Sequence, residues 1–216
     1  HAVRAWALDF QEGQNGKAQE AIDKALELDP NNAIAHAYRV EILIDSQTFD
    51  NIDKAREVSR TALALDPNAL ETRRARGYIF EATGDYENAV QFYRSAIELN
   101  PNLAILHMEL GRNLRFLGVY DDAITAFTFA NTLNPSDPDP DYLIARTYAT
   151  IGEYANALQY AETAVTDDTT DARYRGNYGV MFYRNFRYQE AVEQLKLAVI
   201  GGTTEDGFPI QGLALN

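Results

Sequence analysis

The residues of this 216-residue chain that could carry acid–base or metal chemistry are few in type and scattered in position. There are three histidines and no cysteine, which excludes disulfides, thiolate catalysis, iron–sulfur clusters and cysteine zinc sites. A histidine metal site needs ligands brought together by close spacing. His36 and His107 stand too far apart for that and are expected to be partly buried helix residues, while His1 is terminal. Carboxylates are abundant, and Asp121-Asp122 or Asp167-Asp168 have the composition of an acid–base couple. Adjacent aspartates at a turn and at a helix end ordinarily cap or face solvent. The stretch Asp137-Pro-Asp-Pro-Asp141 has the alternation of a calcium loop but lacks the glycine and terminal glutamate of an EF-hand, and its prolines suit a stiff helix start. No glycine-rich phosphate loop, GxSxG elbow or HExxH pair occurs. The expectation is a chain with no catalytic residues, no metal and no cofactor, and not an enzyme.

Charge narrows the partners. With 32 Asp and Glu against 19 Lys and Arg, the formal charge is -13, which opposes non-specific attraction to nucleic acid or anionic lipid. The 46% apolar and 11% aromatic content supplies a packed core. No apolar run reaches the length that spans a bilayer, so no direct membrane insertion of this fragment is expected. The start at His1 and the mildly apolar end read as a piece of a longer protein.

What positions these residues is a period. Ala89, Ala123, Ala157 and Ala191 are 34 residues apart, as are Tyr86, Tyr120, Tyr154 and Tyr188, and Ala96, Ala130, Ala164 and Ala198. Gly84, Gly118 and Gly152 keep the step until Phe186 replaces the glycine, and Pro67, Pro101 and Pro135 keep it too. Upstream, Ala18 to Ala55, Ala25 to Ala62 and Pro30 to Pro67 are each separated by 37. One unit therefore carries three extra residues near Gln47 to Phe49, expected to lengthen an inter-helix turn.

The units run about 1–32, 33–69, 70–103, 104–137, 138–171 and 172–205, a single array followed by a tail, 206–216, that reads as the start of a further helix. Each holds two helical segments around a short turn, and the Asp-Pro-Asn or Asn-Pro-Asn triplets end the second segment because proline lacks an amide proton and disfavours helix just upstream. Gly77, Gly111, Ala145 and Gly179 on first helices, with the alanine columns on second helices, permit close antiparallel packing.

A 34-residue helix–turn–helix with Gly, Tyr, Ala, Phe, Ala and Pro in this order resembles the tetratricopeptide repeat family. The fullest match is Leu110-Gly111, Leu114, Gly118, Tyr120, Ala123, Phe127, Ala130 and Pro135. Arg76, Ala161 and Thr169 depart from the family's preferences for a large apolar residue, an aromatic and a proline. The resemblance implies an all-α, right-handed superhelical solenoid of about six antiparallel helix pairs. It also implies a concave groove, lined by first helices, that holds a peptide or partner segment.

The arginines are placed unevenly. Of 15 arginines, 11 (Arg4, Arg39, Arg73, Arg74, Arg76, Arg112, Arg115, Arg146, Arg173, Arg175 and Arg184) lie in first helices, and all four lysines lie in second helices. Residues three and four apart share a helix face. The family's concave face maps onto stripes containing Arg74 and Tyr78; then Met108, Arg112, Arg115 and Phe116; then Tyr142 and Arg146; then Arg173, Tyr183 and Arg184. The last three stripes carry five arginines against one aspartate, Asp139, whereas the second unit's stripe holds Glu41 and Asp45. These residues are the expected peptide-binding set, for an acidic or aromatic segment of a protein partner. The competing expectation is a structural module that self-assembles through its exposed terminal repeat, giving a homo-oligomer. No groove lysine and no ladder of groove asparagines is present, with Asn177 alone in its column.

Overall fold

The computed structural model describes residues 15–45 and 49–201. Among them are eleven helices and no strand: α1 (Asn15–Leu28), α2 (Ala33–Asp45), α3 (Phe49–Leu65), α4 (Leu70–Ala82), α5 (Tyr86–Leu99), α6 (Ala104–Phe116), α7 (Tyr120–Leu133), α8 (Asp139–Thr150), α9 (Tyr154–Asp167), α10 (Ala172–Arg184) and α11 (Tyr188–Gly201). The fold class is all-α. The chain divides into two compact units at Leu117/Gly118, inside the turn of the fourth repeat.

The proline triplets end helices as expected, and a polar side chain organises each stop. The Asp29, Asp66 and Asn100 side chains accept the backbone N–H two residues on, at 3.2, 2.9 and 3.1 Å. Asp137 accepts the Asp139 N–H at 3.0 Å, and proline occupies the first turn of α8, so this acidic stretch builds a helix start. The three extra residues are not in a turn. The gap between α2 and α3 is three residues, like its counterparts, and α3 has 17 residues where α5, α7 and α9 have 14. Three residues are close to one helical turn, so lengthening the helix keeps Ala55 and Ala62 on the buried face. Residues 46–48 and the Phe49 side chain lie outside what is described.

In the first unit, α2 packs on α1 and α3, α4 on α2 and α3, α5 on α4, and α6 on α5. Ala37, Val40, Ala55, Ala62, Ala75 and Ile79 form one buried cluster; Ala18, Ile22, Ala35 and Tyr38 belong to another. In the second unit, α8 packs on α7 and α9, and α10 on α9 and α11. Its core includes Ala145, Ala157, Ala161 and Met181.

Helix pairs approach closely where one residue is minimal. A Cβ on Gly77 would lie 2.9 Å from the Tyr93 ring, and one on Gly179 would lie 2.8 Å from Leu195. Ala145 and Ala161 keep the same 16-residue separation and are both buried. The alanine at 161 thus accompanies a Cβ on the opposing helix, where the two glycines face a tyrosine and a leucine.

Among the described residues, four of the turns between first and second helices contain a left-handed residue. Gly84, Gly118 and Gly152 have φ of 76°, 78° and 83°, and Phe186 has φ 62° in the equivalent place. For a residue with a side chain, that conformation costs roughly 1–2 kcal/mol.

Candidate functional site

The arginine stripes have two different fates. In the first unit Arg74 is 8% exposed and lies between two buried glutamates. Its Nη1 donates to Glu41 Oε1 at 2.7 Å, and its Nε donates to Glu109 Oε1 and Oε2 at 2.9 and 3.1 Å. Nη2 also donates to Glu109. Burial pushes the Glu109 carboxyl above the usual range while the Arg74 charge opposes that shift. Burial would lower the guanidinium's pKa, yet the two carboxylates hold it well above its ordinary value.

Around this triad Tyr93 Oη donates to Glu81 Oε2 at 2.7 Å, and Asn113 Nδ2 donates to the same oxygen at 2.9 Å. Tyr78 Oη donates to Asp45 at 2.7 Å, and burial pushes the Tyr38 hydroxyl up to about 12. This network joins the first helices of three successive repeats, α2, α4 and α6. It engages both Arg74 and the Tyr78 hydroxyl, and Met108 is buried. Arg74 therefore points its charge into the fold and not toward a ligand, because a guanidinium flanked by two buried carboxylates cannot leave them cheaply. A signal was available in the sequence: Glu41 and Glu109 stand 33 and 35 residues from Arg74, almost one repeat on either side.

On α6, Arg112 is half-buried and makes no ion pair among the described residues. The Arg115 guanidinium sits 5.4 Å over the Phe116 ring, which is exposed and stacks on Tyr86 at 4.7 Å.

In the second unit the stripes form a cleft of about 400 Å³ between α8 and α10. Helix α8 contributes Tyr142, Arg146, Ala149 and Thr150; α10 contributes Arg173, Gly176, Asn177, Val180, Met181 and Arg184. No carboxylate lines it. Arg173 is held at the rim by Asp171, with Nε and Nη2 donating at 2.9 and 2.6 Å, and this pairing raises its pKa. Asp139 lies 3.9 Å from Arg173 Nη2 and also accepts from Tyr174 Oη at 2.8 Å.

Arg146 and Arg184 have no carboxylate partner among the described residues. They are placed by aromatic faces: Arg146 lies 5.4 Å from the Tyr142 ring centre and donates to its hydroxyl at 3.3 Å, and Arg184 lies 5.8 Å from Tyr154. Tyr142 in turn meets Tyr174 edge-on at 5.4 Å. The Asn177 Oδ1 is buried on the cleft wall and accepts no hydrogen bond. Sequence periodicity placed Tyr142, Arg146, Arg173 and Arg184 of this lining on the expected stripes; it did not name Met181 and did not assign Asn177 to the binding set. Tyr183, included in that set, is exposed outside the lining.

Repeated antiparallel helix pairs with first-helix side chains lining a cleft define a helical-repeat protein. Family models match the tetratricopeptide repeat at residues 3–32, 108–172 and 142–206, and a TPR repeat at 77–113. The chain belongs to the tetratricopeptide repeat family. The fold is similar to that of PilW, described as a widely conserved type IV pilus biogenesis factor, with TM-score 0.74 and 20% identity over 84% of this chain and 83% of that one. It is also similar to pilF of Pseudomonas aeruginosa, with TM-score 0.71 and 22% identity over 92% and 88%. YrrB, described as a TPR protein with an unusual peptide-binding site, matches with TM-score 0.60 and 22% identity over 84% and 92%. No curated protein sequence matches significantly.

Proposed function

We propose that this chain is a protein-interaction scaffold and that the α8/α10 cleft binds an acidic, aromatic-containing segment of a protein partner. The observation that carries this reading is a cleft lined by three arginines and no carboxylate, in a chain of net charge -13. An ionised side chain or a terminal carboxylate would be taken by the guanidinium forks of Arg146 and Arg184. Tyr142, Val180 and Met181 offer apolar and ring contact, and a peptide N–H would satisfy Asn177.

The test is a peptide-display selection against the 216-residue chain, followed by titration of a selected peptide. Selected sequences are expected to be acidic, with binding weakened by salt. Arg146→Glu with Arg184→Glu is expected to cost about 2 kcal/mol or more, roughly thirtyfold in affinity, with helicity and melting nearly unchanged because both side chains are exposed. Selection of basic peptides, or undiminished binding by the double variant, would overturn the assignment.

A further inference from the structure

Arg76 stands where the family prefers a large apolar residue, and the peptide cleft does not use it. It lies on α4 and reaches α3, where its Nη1 donates to the buried Ser59 Oγ at 3.1 Å. Its guanidinium sits 4.6 Å over the Phe80 ring, which stacks on Phe92 at 5.5 Å. A hydroxyl and a ring hold the group in place, and most of its five N–H donors remain unused among the described residues.

The repeat supplies an internal comparison. Asp23 on α1 and Arg39 on α2 are 16 residues apart and pair at 2.9 Å. At the same places further on, Glu162 faces the Tyr178 hydroxyl. Between α3 and α4 these places hold Arg60 and Arg76, so an arginine occupies the position that an aspartate fills one repeat earlier. Arg56, one turn before Arg60 on the same face, brings a third guanidinium, and Asp53 takes it at 2.9 Å. Neither Arg60 nor Arg76 has an ion-pair partner among the described residues, although Glu57 lies one turn before Arg60. Burial lowers the Arg76 pKa from its ordinary value, and the charges of Arg60 and then Arg56 lower it further.

We propose that Arg60 and Arg76, with Arg56 at the edge, form a binding site for a phosphate-type oxyanion, free or as a monoester. Charge selects this ligand: two unpaired guanidiniums call for two negative charges, which a phosphate dianion brings and a single carboxylate does not. Shape selects it as well. Forks reaching from two helices need oxygens in more than one plane, and a tetrahedral group offers them where a planar carboxylate suits one fork. The chain's charge of -13 opposes an extended polyanion such as nucleic acid and leaves a compact group. The site shares no residue with the α8/α10 cleft.

Nuclear magnetic resonance titration of the 216-residue chain tests this at about pH 8, where phosphate is doubly charged. The probes are inorganic phosphate, a phosphoserine tripeptide and acetate. The Nε–H signals of Arg60 and Arg76 are expected to shift with a phosphate probe, with affinity about tenfold or more above that for acetate. Arg60→Asp rebuilds on Arg76 the pairing that Arg39 makes with Asp23, and is expected to abolish phosphate binding with unchanged helicity because the side chain is exposed. Arg60→Gln is expected to weaken phosphate about fivefold or more. Binding of inorganic phosphate without the tripeptide supports the free ion as ligand, and binding of the tripeptide supports a phosphorylated partner. Acetate binding as tight as phosphate overturns the proposal. So does undiminished phosphate binding by both Arg60 variants, or loss of the phosphate response in Arg146→Glu with Arg184→Glu, which moves the ion to the cleft.

Discussion

One column of residues shows how a position acquires its role. His36 Nε2, Arg73 Nε, His107 Nε2 and Arg175 Nη2 each donate to the backbone carbonyl six residues before them, at 2.9, 3.1, 2.8 and 2.6 Å. The first three carbonyls belong to the turn prolines, and the fourth to Thr169, the departure from the family's proline. The histidines thus brace turns, a job that needs a donor and not a metal ligand. Asp141 occupies the same column in the fifth repeat and is 3% exposed, yet an ionised carboxylate has no proton to give. Burial, with Asp167 nearby, pushes its carboxyl up to about 6, partly opposed by the hydrogen bond from Asn131. A carboxyl raised in the folded state stabilises fully below its unfolded value near 4 and loses that contribution as pH rises through about 6. Asp141→Asn removes the charge, and is expected to stabilise the chain by about 1–3 kcal/mol at pH 7.5. Little of that gain should remain at pH 4. Thermal melts followed by circular dichroism at the two pH values check the difference.

Between helices, the determining feature is the paired residue sizes where each first helix crosses its second. Gly77 faces Tyr93 and Gly179 faces Leu195, while Ala145 and Ala161 occupy the matching places in the fifth repeat. Taken alone, Ala161 looks like a lost aromatic; beside Ala145 it is the complementary half of a pair. Gly77→Ala is expected to destabilise by about 1–3 kcal/mol, because the Tyr93 ring is fully buried and cannot move away. Gly176→Ala, whose new Cβ would meet nothing nearer than Ala198 at 3.9 Å, is expected to be neutral or to stabilise by up to about 1 kcal/mol through helix propensity. Urea titrations of the two variants separate crowding from propensity. At this scale the three-residue insertion is also explained, since nearly a full turn added to α3 leaves its buried face in phase.

Within each compact unit of the molecule, successive helix pairs bury their apolar faces against one another, so stability is close to a sum of nearest-neighbour interfaces. Helix α9 is packed by both α8 and α10, whereas α11 packs mainly on α10 among the described residues. Amide hydrogen exchange is therefore expected to be faster in α11 than in α9. The net charge of -13 is compatible with a cationic cleft because arginines cluster on first helices and most of the acidity lies on second helices and turns. A binding surface of opposite sign to the chain favours discrimination by charge over general adhesion.

The sequence by itself determined the repeat, the helix boundaries near the prolines and the small residues at the helix crossings. All of these follow from local backbone preferences and from a period longer than any helix. It did not determine which arginines are offered to a ligand. Arg74 and Arg146 both lie on the inward stripes of first helices, Arg74 in the column of Tyr142 and Arg146 in the column of Tyr78, and neither column by itself marks a ligand-facing charge. Only the tertiary structure sets Glu41 and Glu109 on either side of Arg74 and no carboxylate beside Arg146, because ion pairing depends on which side chains neighbouring repeats bring within about 3 Å. That distance is fixed by helix packing across tens of residues of sequence.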